Sequence, residues 1–369
     1  MFNFTIVDMR QALVITAATY QAQLLENLKE NNMKAWELQG FGIQNLKSVD
    51  RPIPKPGPKQ LLVKVAAVSL NFRDKAILSG IYLPEIMKMP FIPVSDAAGV
   101  VIETGKDVTG FKTGDRVISH LYPTWLNGLS LPSGISDYAL GGPVDGGLAE
   151  YMLLDEAGVV RTPSALTDAE AATLPIAALT AWYALVELGQ LKAGQTVVTQ
   201  GTGGVSLFAI QFAAALGARV IALSGNNEKL DRVKLLGASE TINYNENPEW
   251  QQTVLDLTNG QGVDNVINIA GGSTIDKSLM ALKAGGQLSI IGFLEDISAN
   301  INLLAVIFKA AQVRGLLVGN RTAFETMNNF IGQHPIKPVI DTVYSFSDTI
   351  QAYHHLERGA FGKLVIDIS

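Results

Sequence analysis

The stretch from Thr196 to Phe212 narrows the fold more than any other part of the chain. A β-branched run, Thr196-Val197-Val198-Thr199, leads into the glycine turn Gly201-Thr202-Gly203-Gly204, and Val205-Ser206-Leu207-Phe208 opens an apolar helix. Strand, glycine turn and helix in that order make an anion-binding unit. Gly201 permits the tight turn, Gly203 lets the backbone approach a phosphate, and the free amides of the helix start face the anion. Ser206 stands where a third glycine is common, and a residue that small still lets helix and strand pack closely. Taken alone, the turn is equally a plain strand-to-helix connection. Its setting decides. From about Leu166 to Asn320, strand-like runs recur at Thr196–Thr199, Arg219–Leu223, Glu240–Asn243, Asn265–Ile269, Gly286–Ile291 and Arg314–Val318. Each separation leaves room for one crossover helix, as at Lys229–Leu236 and Thr274–Leu282. That grammar predicts an α/β unit with a doubly wound parallel sheet, and a dinucleotide held by Gly201, Thr202, Gly203, Gly204 and Val205.

Composition removes other classes of function. The chain has 369 residues, room for about two domains. Charged residues make up 17% of it against a usual ~25%, which fits a core-rich globular protein. A formal charge of −6 with no dense basic run disfavours a nucleic-acid surface. The chain contains no cysteine, so disulfides, thiol nucleophiles, iron–sulfur clusters and thiolate metal sites are excluded, and a reducing, cytoplasmic setting fits. The most apolar stretch, Val205 to Ser224, is interrupted by Gln211, Gly217 and Arg219, so no membrane span or membrane partner is expected.

Residues 1–32 read as an N-terminal extension, because Met33-Lys34-Ala35-Trp36 looks like the start of a domain. The extension is either the product of a mis-assigned start codon or an amphipathic helix with Leu13, Ala17, Tyr20, Leu24 and Leu28 on one face. It lacks a basic segment ahead of an apolar block and makes a poor signal peptide. From Met33 to about Val160, short runs punctuated by Pro52, Pro54, Pro56-Gly57-Pro58 and Gly114-Asp115 indicate a β-rich, barrel-like domain. The tail beyond Arg321 alternates helix and strand and ends on a strand, Gly362–Ile368, that is expected to return to the first domain.

The second strand of the dinucleotide unit should end beside the adenosine ribose, where an acid would receive both hydroxyls of NAD. Here the chain reads Leu223-Ser224-Gly225-Asn226-Asn227-Glu228-Lys229, with no acid at the strand end. Ser224 and the amides near Gly225 suit a 2′-phosphate, with Lys229 and Tyr244 as a cation and a donor from neighbouring loops. NADPH is therefore favoured over NADH. Lys229 as a solvated helix residue and Tyr244 as a packing aromatic are the plain alternatives.

Together with the glycine turn, Ser69-Leu70-Asn71-Phe72-Arg73-Asp74, Pro93-Val94-Ser95-Asp96-Ala97-Ala98-Gly99 and Gly110-Phe111-Lys112-Thr113-Gly114-Asp115-Arg116-Val117 resemble the medium-chain dehydrogenase/reductase superfamily from Met33 to the C-terminus. Leu174 to Trp182, Ile242-Asn243-Tyr244 and Phe361-Gly362-Lys363-Leu364-Val365 look most like its zinc-free quinone-oxidoreductase-like branch. The resemblance implies a GroES-like catalytic domain over residues 33–160 and 322–369, and a Rossmann domain over 161–321. It also implies that Thr180 lies near the nicotinamide, that Gly292-Phe293 and Val318-Gly319 contact the carboxamide, and that Lys363 belongs to the cofactor-binding set. Zinc-dependent relatives carry a Cys where this chain has Asn71, a His-Glu pair where it has Ser95-Asp96, and a Cys or Asp where it has Ile176. The lobe that elsewhere binds a structural zinc falls within His120 to Gly147, which holds no Cys. The expectation is no zinc at either place.

A quinone or an enone is already electrophilic and takes hydride without a Lewis acid, so the leading expectation is a zinc-independent, NADPH-dependent reductase of such small molecules. Asn71, Arg73 and Asp74 are the catalytic candidates, placed to orient the nicotinamide side of a cleft or the developing oxyanion. Their plain alternatives are turn or capping roles for Asn71 and Asp74 and an inter-domain ion pair for Arg73. Ser95 and Asp96 read as bonding the cleft floor. Tyr122, Trp125 and Tyr138 are expected either to cover a flat substrate or to anchor a surface loop. A zinc-free alcohol or aldehyde dehydrogenase and a non-enzymatic nucleotide-binding sensor stand as alternatives. The last Rossmann strand would leave an open edge, and a homodimer through that edge is expected.

Overall fold

The computed structural model describes residues 32–369, and the N-terminal extension, apart from Asn32, lies outside the described residues. The first domain opens on an antiparallel pair, β1 (Asn32–Leu38) and β2 (Leu46–Pro52). Its main sheet is built on β3 (Gln60–Leu70), an almost unbroken apolar run because both faces of the strand are covered. Around it stand β4 (Asp96–Thr104), β5 (Arg116–Ser119), β6 (Tyr151–Asp155) and β7 (Val159–Arg161). The helix α1 (Phe72–Leu78) follows β3 directly.

A buried helical segment, 174–188, leads to the second domain. It has wide π-type turns at Leu174–Ala178 and Tyr183–Leu188 flanking α2 (Leu179–Trp182). Then β8 (Thr196–Gln200), β9 (Arg219–Ser224), β10 (Glu240–Asn243), β11 (Val263–Asn268), β12 (Leu282–Ile290) and β13 (Gln312–Gly315) form one six-stranded sheet in the order β10-β9-β8-β11-β12-β13. Every pairing in it is parallel. This is the doubly wound Rossmann order, whose switch point lies between β8 and β11. The crossovers include α3 (Gly204–Ala215), α4 (Asn227–Lys234), α5 (Trp250–Leu257), α6 (Thr274–Ala281) and α7 (Leu303–Lys309). The α/β class, with a β-rich unit beside a parallel sheet, is the one the sequence predicts.

Three strands differ from the expected bounds by two residues or more. β11 begins at Val263 rather than Asn265 and β12 at Leu282 rather than Gly286, while the sixth strand spans Gln312–Gly315 rather than Arg314–Val318, the chain leaving the sheet at Gly315. Leu316, Leu317 and Val318 look strand-like because they are apolar, but they pack on the core formed by the 174–188 segment and α3. After α8 (Arg321–Gln333), β14 (Ile340–Ser345), α9 (Thr349–Arg358) and β15 (Lys363–Asp367), the chain is back in the first sheet. There β15 pairs antiparallel with β3, setting Leu364 opposite Leu70. No helix among the described residues is long and apolar enough to cross a membrane.

Candidate active site

The two domains meet at the C-terminal ends of β8, β11 and β12, where ligands of doubly wound sheets bind. At the end of β8, Gly201 has φ +75°, a conformation that favours glycine, and a side chain added at Gly203 would meet no atom within 4 Å. The turn therefore presents open space in front of the first amides of α3. Ser206 is buried and donates to the Gln200 carbonyl at 2.6 Å, tying helix to strand. These residues fit a pyrophosphate.

The first domain touches the turn through its last strand. The Gly362 amide donates to the Thr202 carbonyl at 3.0 Å, and Gly362 bridges to Gly203. The stem of Lys363 runs so close to Gly204 that a Cβ there would lie 2.6 Å from its Cδ. Beyond the stem, the Lys363 ammonium donates to the Leu70 carbonyl at 2.6 Å and to Asn71 Oδ1 at 2.5 Å. Asn71 Nδ2 donates to Asp96 Oδ2 at 2.9 Å, which also accepts from the Ile176 amide at 3.1 Å. Ser95 Oγ donates to Asp96 Oδ1 at 2.8 Å. Four segments far apart in sequence, at Leu70–Asn71, Ser95–Asp96, Ile176 and Lys363, thus converge on one floor.

Burial sets the electrostatics of this floor. It pushes the Asp96 carboxyl up from its ordinary value, while the Lys363 ammonium and the bonds from Asn71 and Ser95 pull it back. Burial likewise lowers Lys363, opposed by Asp96 and then Asp74. Asp74 is raised to about 6, by burial first and secondarily by Asp96, with Arg73 opposing.

Asn71 and Asp74 also form a capping box on α1: the Asn71 amide donates to Asp74 Oδ2 at 2.7 Å. Arg73 bonds within its own domain, donating to the Leu140 carbonyl at 3.0 Å and the Gly142 carbonyl at 2.5 Å, with its guanidinium 5.6 Å from the Tyr82 ring centre. It makes neither the inter-domain ion pair nor a contact with the Asn71–Asp96 floor.

At the end of β9, Ser224 is buried, Lys229 is half-buried on α4 and Tyr244 is exposed, its ring beside Gly225. After β12, Phe293 meets Phe72 of the first domain edge-on, with ring centres 5.5 Å apart. The sequence alone assigns Phe72 no role, since nothing local marks a contact across 221 positions. After β13, buried Val318 precedes Gly319, whose carbonyl lies 2.9 Å from His120 Nε2. Burial lowers His120 to about 4, so near neutrality the uncharged ring donates from Nε2. Thr180 is buried within α2.

Of the two readings of the aromatics, Tyr122 and Trp125 meet the loop anchor and not the substrate cover. Tyr122 and Trp125 are buried, and Trp125 packs edge-on against Tyr183 while its carbonyl accepts from the Arg321 amide. They anchor the loop to the second domain, because their large apolar area gains more from the core than from the cleft rim. Tyr138 alone is exposed.

Residues 57–164 match the family described as alcohol dehydrogenase GroES-like domain, and residues 204–333 the family described as zinc-binding dehydrogenase. The chain is 39% identical over 341 residues to a zinc-type alcohol dehydrogenase-like protein of Schizosaccharomyces pombe, covering 90% of this chain and 97% of that one. The chain belongs to the medium-chain dehydrogenase/reductase superfamily. It is also 32% identical over 352 residues to the chloroplastic quinone-oxidoreductase QR1 of Triphysaria versicolor, covering 91% and 98%. A solved NAD-dependent alcohol dehydrogenase superposes with TM-score 0.82 at 31% identity, covering 91% of this chain and 100% of that one. The protein is thus an NAD(P)H-dependent oxidoreductase.

Proposed function

We propose that the protein is a zinc-independent, NADPH-dependent reductase of quinones or α,β-unsaturated carbonyl compounds. The observation that carries this reading is the floor of the cleft. Both carboxylate oxygens of Asp96 accept hydrogen bonds, Asn71 Oδ1 accepts from an ammonium, and Ile176 offers only its backbone. A divalent ion would have to displace that network and sit against the Lys363 cation, so these residues do not fit a zinc. Among the described residues no three His, Cys, Asp or Glu side chains group to hold a metal ion.

When bound, the reduced nicotinamide supplies a hydride. An acceptor whose carbon is already electrophilic then needs orientation and a positive group where charge collects on oxygen. In this reading Lys363 supplies that cation; its ammonium donates to the Leu70 carbonyl and Asn71 Oδ1, and Asn71 donates in turn to Asp96. The edge-on pair Phe72 and Phe293 offers apolar rings to a flat acceptor. Preference for the 2′-phosphate rests on Ser224 in place of an acid, with Lys229 and Tyr244 near it. A cytoplasmic setting accords with a chain without cysteine.

The test is NADPH and NADH oxidation over a panel of quinones, enones and aldehydes. Turnover with quinones or enones and NADPH is expected. Turnover confined to alcohols and aldehydes, or nucleotide binding with no turnover, would replace the proposal.

A further inference from the structure

Three successive amides, at Phe361, Gly362 and Lys363, go to three different partners. The Phe361 amide donates to Asp341 Oδ2 at 2.7 Å, the Gly362 amide to the Thr202 carbonyl at 3.0 Å, and the Lys363 amide to the Val339 carbonyl at 2.9 Å. The outer two tie the segment to the start of β14 in the first domain, while the middle one reaches the glycine turn of the second. At the end of the same segment, the Lys363 ammonium meets Asn71 on the cleft floor. Residues 361–363 therefore set how the turn stands relative to the floor.

An irregularity in the sheet places Asp341 for its bond. Along the parallel β14–β15 pair, Ile340 stands opposite Lys363 and Thr342 opposite Leu364, so Asp341 is an extra residue on β14. A bulge of this kind leaves its residue out of the ladder and re-aims the side chain. Behind the carboxylate stands His355 of α9, with Nε2 3.8 Å from Asp341 Oδ2 and Nδ1 2.9 Å from the Tyr344 hydroxyl. With the tyrosine donating to Nδ1, the proton of the neutral ring sits on Nε2 and faces the carboxylate. Phe361 is also held from the other domain. Its buried ring lies under the exposed Arg232 of α4, whose guanidinium carbon is 3.6 Å from the ring centre.

We infer that Asp341 is a positioning residue for hydride transfer, holding 361–363 so that Gly362 stays on the glycine turn and the Lys363 ammonium stays at Asn71. Arg232 steadies the same segment from the nucleotide side. The kinetic part of the inference rests on the reductase reading above. The binding part does not, because the turn offers its amides to the pyrophosphate common to NADPH and NADH.

Asp341→Ala in the full chain should lower kcat with NADPH and a quinone or enone about fivefold, the size of one lost hydrogen bond. Asp341→Asn keeps an oxygen for the Phe361 amide and should restore kcat to within about twofold of wild type. In the Lys363→Met background, Asp341→Ala should cost nothing further, since its effect passes through that ammonium. A general loosening of the fold would lower kcat by the same factor in both backgrounds, and that result overturns the inference. So does an Asp341→Asn variant as slow as Asp341→Ala. Fluorescence titration gives a second readout, and Arg232→Ala, at an exposed helix position, keeps it available if Asp341→Ala does not fold. Each of the two variants should raise the Kd of NADPH and of NADH alike, by about threefold. An unchanged Kd in Asp341→Ala overturns the link to the turn, and a loss confined to NADPH in Arg232→Ala overturns its hold on Phe361. Should the wild type reduce no quinone or enone, the reductase reading fails while the titrations still judge the segment.

Discussion

The ammonium of Lys363 lies 2.5 Å from Asn71 Oδ1, although 292 residues separate the two in the chain. The contact exists because β15 pairs with β3 and brings the start of the last strand to the end of the third. It joins the glycine turn, which the Lys363 stem touches, to the floor held by Asp96. Replacing Lys363 by Met keeps the stem and deletes the charge. The expected result is a kcat reduced by about tenfold or more, the size of a lost charge-assisted bond. Steady-state kinetics together with nucleotide titration check it, because a role confined to holding phosphate would raise the Kd and leave kcat at saturation unchanged.

The glycine turn allows a contrast between binding and folding. Gly203 faces open space at φ −78°, so Gly203→Val should fold with a near wild-type melting temperature yet lose nucleotide binding. Gly362 has φ +91°, and a Cβ there would collide with the Val339 carbonyl. Gly362→Ala should lower stability by at least about 2 kcal/mol. Thermal melts with and without NADPH separate the two effects.

Much of the fold is legible in the amino-acid sequence. The turn at Gly201–Gly204 and the six strands behind it stand out because parallel strands buried on both faces read as short apolar runs with one helix between them. The floor is legible only in its parts. Asn71, Ser95, Asp96 and Lys363 sit in three separate motifs, and nothing local says that the Lys363 head reaches Asn71 rather than solvent. Tyr122 and Trp125 are open to a cleft reading because a large aromatic carries the same local signal in a loop anchor as in a substrate cover. The end of β13 is misplaced by pattern alone because Leu316-Leu317-Val318 is as apolar as a strand, and only the core it meets shows otherwise.

Cofactor choice tests the end of β9. Lys229→Ala should weaken NADPH about tenfold and leave NADH nearly unchanged, since in the proposed reading the lysine charge faces the 2′-phosphate alone. Fluorescence titration with both nucleotides measures this directly, and equal losses for the two would remove the 2′-phosphate assignment.

The buried acid Asp74 predicts a pH effect of definite sign. Its carboxyl is raised to about 6 from an ordinary 3.8, so the folded state holds the proton more tightly than the unfolded chain. The stabilisation from that proton is present at low pH and is lost as the pH rises through about 4 to 6, amounting to roughly 3 kcal/mol at most. Asp74→Asn keeps an oxygen for the Asn71 amide and has no charge to bury. Relative to wild type, the variant should therefore gain stability across that window, as measured by denaturant unfolding at pH 4 and pH 7. A constant difference between the two would contradict the placement of the charge.

The central claim is that hydride reaches the acceptor without help from a bound metal ion. It is tested most directly by following NADPH oxidation with a quinone or enone that supports turnover, after exhaustive chelation and with metal content measured on the same sample. Undiminished turnover at a metal-to-protein ratio near zero is the predicted result. Activity that disappears on chelation and returns with added zinc would contradict the account.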